Sequence, residues 1–304
     1  MKKLTIGSRG SRLALLQARS VMDKIGSLDK QCNIDLCKIV TSGDKDRRTQ
    51  LDRLGAAAFV KELEEALLDG RIDIAVHSMK DVPTELPEGL CLAAVSERED
   101  PRDTLVAKCG LMELDEGSII ATGSLRRSVQ LASMRPGLKT CGIRGNVDTR
   151  LRKVAEGEAD GLIMAAAALH RLGWRDRITE YLPLEHFLPA VGQGAIVIEA
   201  RSGDRDMIDL VSQLNDLPSW QAVAAERAFL HALGGGCRAP IAALGTVSAG
   251  RLKLEGMVAG INSSRILRYS IEGNALESEA AGRSLAQKLL DMGASGLIEE
   301  AEGR

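Results

Sequence analysis

Glu97-Arg98-Glu99-Asp100-Pro101-Arg102-Asp103 is the stretch on which the architecture turns. Six charged side chains around one proline can neither line a core nor continue a helix or central strand, so the segment reads as a hinge between two folded units. A second such stretch, Leu188-Pro189-Ala190-Val191-Gly192-Gln193-Gly194, stands before a strand pattern at 195–199 that returns to the first unit. Two crossings between two lobes leave a cleft, and there a ligand is expected.

On either side of the hinge, strand and helix patterns alternate, which predicts α/β architecture with parallel sheets. A strand over 4–6 leads to Ser11, which caps a helix with Leu13, Leu16, Val21 and Ile25 on its apolar face. A strand over 34–40, a helix over 59–68 closed by Gly70 and a strand over 72–76 follow. The pattern restarts with a strand over 118–121, a helix from its Ser124 cap to Met134 stopped by Pro136-Gly137, and a strand over 138–143. Asn146 caps a helix to Glu156, and 161–164 opens another β-α unit that includes the alanine run 165–168. After the return strand come a helix over 204–214 and a helix opened by Pro218 and ending at Leu233. The tail predicts strands over 241–247, 251–258 and 265–271 and a helix over 278–290. The expected organisation is a first lobe from 1–96 and 195–215, a second lobe from 100–189, and a small α+β domain from 218–304.

Composition excludes several classes. The 304 residues exceed one ordinary core, and 40 basic against 42 acidic residues give no global attraction to nucleic acid or to a membrane surface. The few aromatic residues are too scattered for a base-stacking platform. At the amino terminus, Arg9 interrupts before any signal-peptide apolar region forms, and the longest apolar stretch, 162–169, is far short of a membrane span. A cytoplasmic monomer acting on a small molecule is expected, with no nucleic acid and no membrane as partner. Six cysteines without C-x-x-C spacing and four scattered histidines argue against a disulfide scaffold and against a metal site.

Two segments carry reactive groups. Ile74-Ala75-Val76-His77-Ser78-Met79-Lys80-Asp81-Val82-Pro83 reads as a buried strand that stops abruptly with an acid at its mouth. Gly234-Gly235-Gly236-Cys237-Arg238-Ala239-Pro240-Ile241 sets a thiol on a glycine turn, where little bulk shields the sulfur and Arg238 favours the thiolate. Singly, a Lys-Asp pair after a strand is usually a solvated loop charge, and a cysteine near a turn an inert small residue. Together they suggest covalent chemistry with acid-base help. Cys32, Cys37, Cys91, Cys109 and Cys141 lie in strand-like or apolar segments, where burial disfavours the thiolate.

Between 120 and 153 stand Arg126, Arg127, Arg135, Lys139, Arg144, Arg150, Arg152 and Lys153 against one acid, Asp148. Arg135, Lys139, Arg152 and Lys153 read as a solvated basic face. Arg126, Arg127 and Arg144 fall at helix starts, where an arginine opposes the helix dipole unless an anion is present. Arginine binds carboxylates in a bidentate fork, so a polyanionic ligand in the cleft is the physical inference.

Ile6-Gly7-Ser8-Arg9-Gly10-Ser11, Val76 to Pro83, Gly123-Ser124-Leu125-Arg126-Arg127, Ile143-Arg144-Gly145-Asn146-Val147 with Thr149-Arg150-Leu151, Arg171-Leu172-Gly173, Gly192-Gln193-Gly194-Ala195 and Gly235-Gly236-Cys237 stand in this order over essentially the full length. In these motifs the chain resembles the porphobilinogen deaminase (hydroxymethylbilane synthase) family. The resemblance implies a cytoplasmic transferase of porphyrin and heme biosynthesis. Such an enzyme joins four porphobilinogen molecules head to tail with loss of ammonia and hydrolyses the product to hydroxymethylbilane. It also implies periplasmic-binding-protein-like lobes and a dipyrromethane cofactor held through a thioether at Cys237, with Asp81 as catalytic carboxylate. Cofactor contacts are implied for Ser78, Lys80, Ser124, Arg126, Arg127, Arg144 and Arg150. Substrate contacts are implied for Arg9, Ser11, Phe59, Arg144, Arg150, Arg171 and Gln193. The chemistry agrees, because every ring of the product brings two carboxylates and a buried acid would stabilise the methylene-pyrrole cation left by deamination.

Gly55-Ala56-Ala57-Ala58 stands where the family commonly has a lysine and a further glycine, and Leu16 replaces a common tryptophan. Residues 42–53 and Phe59 match the family's mobile lid, and 41–58 is expected to order only in part with ligand. A non-catalytic solute-binding module on the same architecture would explain the cleft and the arginines. It would not explain Cys237 or need Asp81.

Overall fold

Alternating apolar residues form β1 (Lys3–Arg9), with Leu4 and Ile6 fully buried. Ser11 then caps α1 (Arg12–Leu28), its hydroxyl accepting from Ala14 N at 3.2 Å. The buried stripe of α1 is Gln17, Ala18, Val21 and Ile25, while Leu13 and Leu16 are only half-buried. The computed structural model describes residues 3–45, 56–234, 239–261 and 265–302. Residues 46–55, which hold most of the expected lid, and Gly235 to Arg238 with Cys237, the residue expected to hold the cofactor, lie outside the described residues.

Next come β2 (Asn33–Ile39), parallel to β1, and α2 (Lys61–Leu68), which buries Leu63 and Leu67 and closes at Gly70. β3 (Ile74–Ser78) starts two residues later than expected. The N–H groups of Arg71 and Ile72 both bond back to Ala66 O and so finish the helix end before the strand begins. β4 (Leu90–Val95) follows. The chain then crosses and builds β5 (Asp103–Ala107), β6 (Ile119–Ala121), α3 (Leu125–Met134), β7 (Lys139–Cys141), α4 (Val147–Ala155), β8 (Gly161–Ala165), α5 (Ala166–Arg171) and β9 (Glu180–Tyr181). It crosses back to β10 (Ile196–Arg201) and α6 (Arg205–Ser212).

The first sheet has the order β2-β1-β3-β10-β4 and the second β7-β6-β8-β5-β9, so the two lobes share one plan. In each, the fourth place belongs to the strand that has just arrived from the other lobe. The expected parallel sheets are therefore mixed: β10 is antiparallel to β3 and β4, and β5 to β8 and β9. A strand that enters from the hinge starts where the parallel strands end and must run against them.

The crossings lie side by side. Ser96 N donates to Ile196 O at 2.9 Å and Glu99 N to Gly194 O at 3.2 Å. Gly194, with φ +92°, has no room for a side chain, since a Cβ would stand 2.3 Å from Glu99 O. The carboxylate of Glu226, fully buried on α7 (Leu217–Ala232), pairs with Arg98 of the first crossing. It also accepts from Gly192 N of the second crossing and from Gly245 N, both at 2.7 Å. Gly245 belongs to β11 (Ile241–Ser248), which pairs with β12 (Arg251–Ala259) and, through it, β13 (Ile266–Asn274) in an antiparallel meander. α7 and α8 (Ser278–Asp291) cover this sheet around Phe229, Leu254, Leu285 and Leu289, and α9 (Ala294–Glu302) follows. The architecture, two α/β lobes and a small domain of sheet and helices, is the fold class expected. Among the described residues, no helix is long and apolar enough to cross a membrane.

Candidate active site

The first wall of the cleft is the carboxyl end of the first sheet. β3 stops at Ser78, whose hydroxyl and the Gln17 amide exchange hydrogen bonds at 2.9 and 3.2 Å. The next three residues wind into a 3-10 turn, Met79–Asp81, that lifts the Asp81 carboxylate into the cleft. Asp81 is not the buried acid expected, since 35% of its side chain is open. Arg9, at the end of β1, places Nη1 at 3.9 Å from Asp81 Oδ2 and its guanidinium 4.4 Å over the Phe59 ring. Arg9, Ser11, Phe59, Ser78 and Asp81 thus line one small cavity of about 60 Å³.

The second wall carries the arginines, and here the structure corrects the reading of two of them. Arg126 and Arg127 do start α3, but their anion belongs to the chain. Asp103, the first residue of β5, lies 2.7 Å from each, and all three side chains are buried. Burial pushes the Asp103 carboxyl pKa up, but the charges of Arg126 and Arg127 and their hydrogen bonds overrule it and hold it far below the usual carboxylate range. Arg126 also donates to Leu188 O and Arg127 to Ile163 O. Asp103 was read only as a hinge charge.

Removing one partner of such a group leaves uncompensated buried charge, so Asp103→Asn is expected to cost about 3–5 kcal/mol of stability. The depressed pKa gives the pH dependence. This contribution is complete above the ordinary carboxylate range and is lost only as the pH falls through strongly acidic values. Urea unfolding of wild type and variant at neutral and acidic pH checks both statements.

Arg150, on α4, donates from Nε to Gly145 O at 2.8 Å. Burial lowers its pKa to about 10, helped by the charges of Arg127 and Arg144 and opposed by Asp81. Arg127, Arg144 and Arg150 therefore crowd one another on the second lobe within the field of Asp81 on the first. Ser124 and Asn146 occupy N-cap positions, but neither side chain makes a capping hydrogen bond. Arg135 is not a solvated charge, since it donates to Leu111 O and Leu114 O at 3.0 and 2.9 Å, whereas Lys139 and Arg152 are exposed.

Lys80 and Gln193 join the two walls. Lys80 Nζ lies 3.4 Å from Gln193 Oε1, and Gln193 Nε2 donates to Asp103 Oδ1 at 3.0 Å. Protein closes around Lys80 and, with the Arg127 charge, lowers its pKa to about 8. The side chain is nonetheless exposed to cleft water, which screens that shift. Arg171 is placed apart from this group. It donates to Gly194 O at 2.7 Å and lines a larger cavity of about 370 Å³ beside the crossings, with Lys24, Glu97 and Glu99. The five described cysteines are half-buried rather than buried, and burial pushes the Cys91 and Cys141 thiols up.

Fold and site together define a two-lobed α/β protein with arginines from both lobes around one cleft carboxylate. Comparison with known sequences names the kind. Residues 4–209 match the model of the "Porphobilinogen deaminase, dipyromethane cofactor binding domain", and residues 220–291 that of the "Porphobilinogen deaminase, C-terminal domain". The chain is 46% identical over 303 residues to the porphobilinogen deaminase of Syntrophomonas wolfei subsp. wolfei, covering 99% of each. It is 46% identical over 305 residues to that of Geobacter metallireducens, covering 100% of this chain and 96% of the other. The chain belongs to the porphobilinogen deaminase family. Its activity is that of a hydroxymethylbilane synthase of tetrapyrrole biosynthesis, which joins four porphobilinogen molecules with loss of ammonia and uses a dipyrromethane cofactor. Among solved structures, the chain is similar to the periplasmic aliphatic sulphonate binding protein SsuA from Escherichia coli, with TM-score 0.41 and 14% identity, covering 78% of this chain and 72% of that one. It is also similar to the periplasmic VFT2 domain of Bordetella pertussis BvgS, with TM-score 0.42 and 14% identity, covering 70% and 86%.

Proposed function

We propose that Asp81 is the catalytic carboxylate and that Cys237 holds the dipyrromethane through a thioether. The observation that carries this reading is a half-open carboxylate facing cations from both walls, Arg9 at 3.9 Å on its own lobe and Arg150 within its field on the other. Arg150, its pKa lowered by burial and by the neighbouring Arg127 and Arg144 charges, fits a cofactor that brings several carboxylates, since each carboxylate relieves that repulsion. Ser78, Lys80, Ser124, Arg144 and Arg150 would hold the cofactor, with the charge of Arg126 and Arg127 behind them. Arg9, Ser11, Phe59, Arg144, Arg150 and Gln193 would receive the substrate, and Arg171 would meet it from the side of the crossings.

Bound there, the dipyrromethane supplies the pyrrole carbon at which the first new bond forms. Asp81 as the acid hands a proton to the departing amine of porphobilinogen, and as the carboxylate it faces the cation left when the carbon–nitrogen bond breaks. Arg9, 3.9 Å away, orients that carboxylate. Phe59 backs the Arg9 guanidinium.

The same reading places the enzyme in the cytoplasm as a monomer. Cys37, Cys91, Cys109 and Cys141 are free thiols, as a reducing compartment allows, and one chain supplies both walls of the cleft. Arg144→Leu and Arg150→Leu are each expected to lower kcat/KM for porphobilinogen roughly 10- to 100-fold, the worth of one charge-assisted hydrogen bond. Lys139→Leu and Arg152→Leu should change it little. Steady-state kinetics of the four variants decides, and equal losses in all four would overturn the assignment.

A further inference from the structure

We propose that Arg227 is a positioning residue for Asp81, clamping the turn that carries the carboxylate to the helix that leads toward Cys237. The inference rests on the assignment of Asp81 to catalysis. Arg227 follows Glu226 on α7, and the two neighbours serve different places: Glu226 gathers the crossings, while Arg227 reaches into the first lobe. Its Nη1 donates to Val82 O at 3.1 Å, and Nη2 to Pro83 O at 2.7 Å and Thr84 O at 3.2 Å. Nη1 also lies 3.8 Å from Met79 Sδ. Those carbonyls belong to the three residues directly after Asp81, and Met79 opens the turn itself.

The turn itself also rests on the first sheet, Met79 N donating to Ala195 O at 3.0 Å, but the carbonyls of the three residues after it are held by Arg227. Pro83 has no N–H, so the segment cannot continue β3 as a paired strand. Met79 and Val82 pack against Val223, one turn before Arg227 on the same helix, so α7 grips the turn by an apolar contact and by the guanidinium together. Burial pushes the Arg227 pKa down, with the charge of Glu199 partly opposing it, and the carbonyls repay the lost hydration. A planar fork makes this set of bonds and a point charge does not. α7 thus fixes the turn on which the carboxylate stands. An enzyme that adds ring after ring needs that carboxylate kept in place while the chain grows.

The test uses the full chain, loaded with cofactor in cells and checked by intact mass. Arg227→Gln is expected to keep the cofactor and KM but to lower kcat about 100-fold, the cost of displacing a catalytic group by about 1 Å. Hydrogen exchange should quicken over 78–84 and stay unchanged in β11, β12 and β13. Arg227→Lys, a point charge that cannot span all three carbonyls, should recover only a minor part of the lost kcat. Wild-type turnover by Arg227→Gln beside an inactive Asp81→Ala would overturn the positioning role and leave Asp81 in place, whereas normal turnover by Asp81→Ala removes the assignment beneath it. If Arg227→Gln and Arg227→Lys both lose the cofactor, or both exchange faster throughout the third domain, Arg227 is general scaffold and the inference is wrong.

Discussion

Cys237→Ser is expected to give a folded chain whose mass is that of the bare polypeptide and whose turnover of porphobilinogen is undetectable. A hydroxyl stays protonated near neutral pH, whereas a thiol beside Arg238 yields the thiolate that attacks an electrophilic methylene-pyrrole. The five described cysteines do not substitute. They are half-buried, and the Cys91 and Cys141 thiols are pushed up by burial. In the wild type, peptide mapping should therefore find the added mass on the Cys237 peptide alone. An active protein unmodified at that position would end the covalent-primer reading and restore the solute-binding alternative.

Asp81→Ala should leave the cations of both walls in place and remove the group that answers the developing charge. Binding of carboxylated pyrroles should persist while kcat falls on the order of 1,000-fold, within the usual range for loss of a general acid-base group. Isothermal titration with a non-reacting dicarboxylated pyrrole, beside ammonia release from porphobilinogen, separates the two effects. Near-normal ammonia release by the variant would refute the role given to Asp81.

Where an end of an element depends on neighbouring residues alone, the sequence was a sufficient guide. Ser11, Gly70 and Pro218 stand at helix ends as read, and Asp81 stands at the mouth of a buried strand. Strand direction is a different matter, because it depends on the lobe from which the chain arrives, and β5 and β10 turned sheets read as parallel into mixed ones. The charges at the start of α3 did demand an anion. That the anion is Asp103 follows only once β5 and β8 bring it beneath the helix. Arg135 looked like solvated surface because its partners, the carbonyls of Leu111 and Leu114, lie more than twenty residues upstream. One signal was there to use. Glu226-Arg227 interrupts an otherwise apolar helix with two adjacent opposite charges, which a solvated face does not explain.

Because β10 sits between β3 and β4, the first lobe cannot close during synthesis until residue 201 has left the ribosome. The second lobe has no such wait, since all five of its strands lie within residues 103–181. It can therefore mature first although it is translated second. Until β10 arrives, β3 and β4 present unpaired edges, which are templates for pairing with other chains. A nascent chain stalled after residue 181 but before β10 joins a finished second lobe to a first lobe whose strand edges are still open, so its aggregation hazard lies in its amino-terminal part.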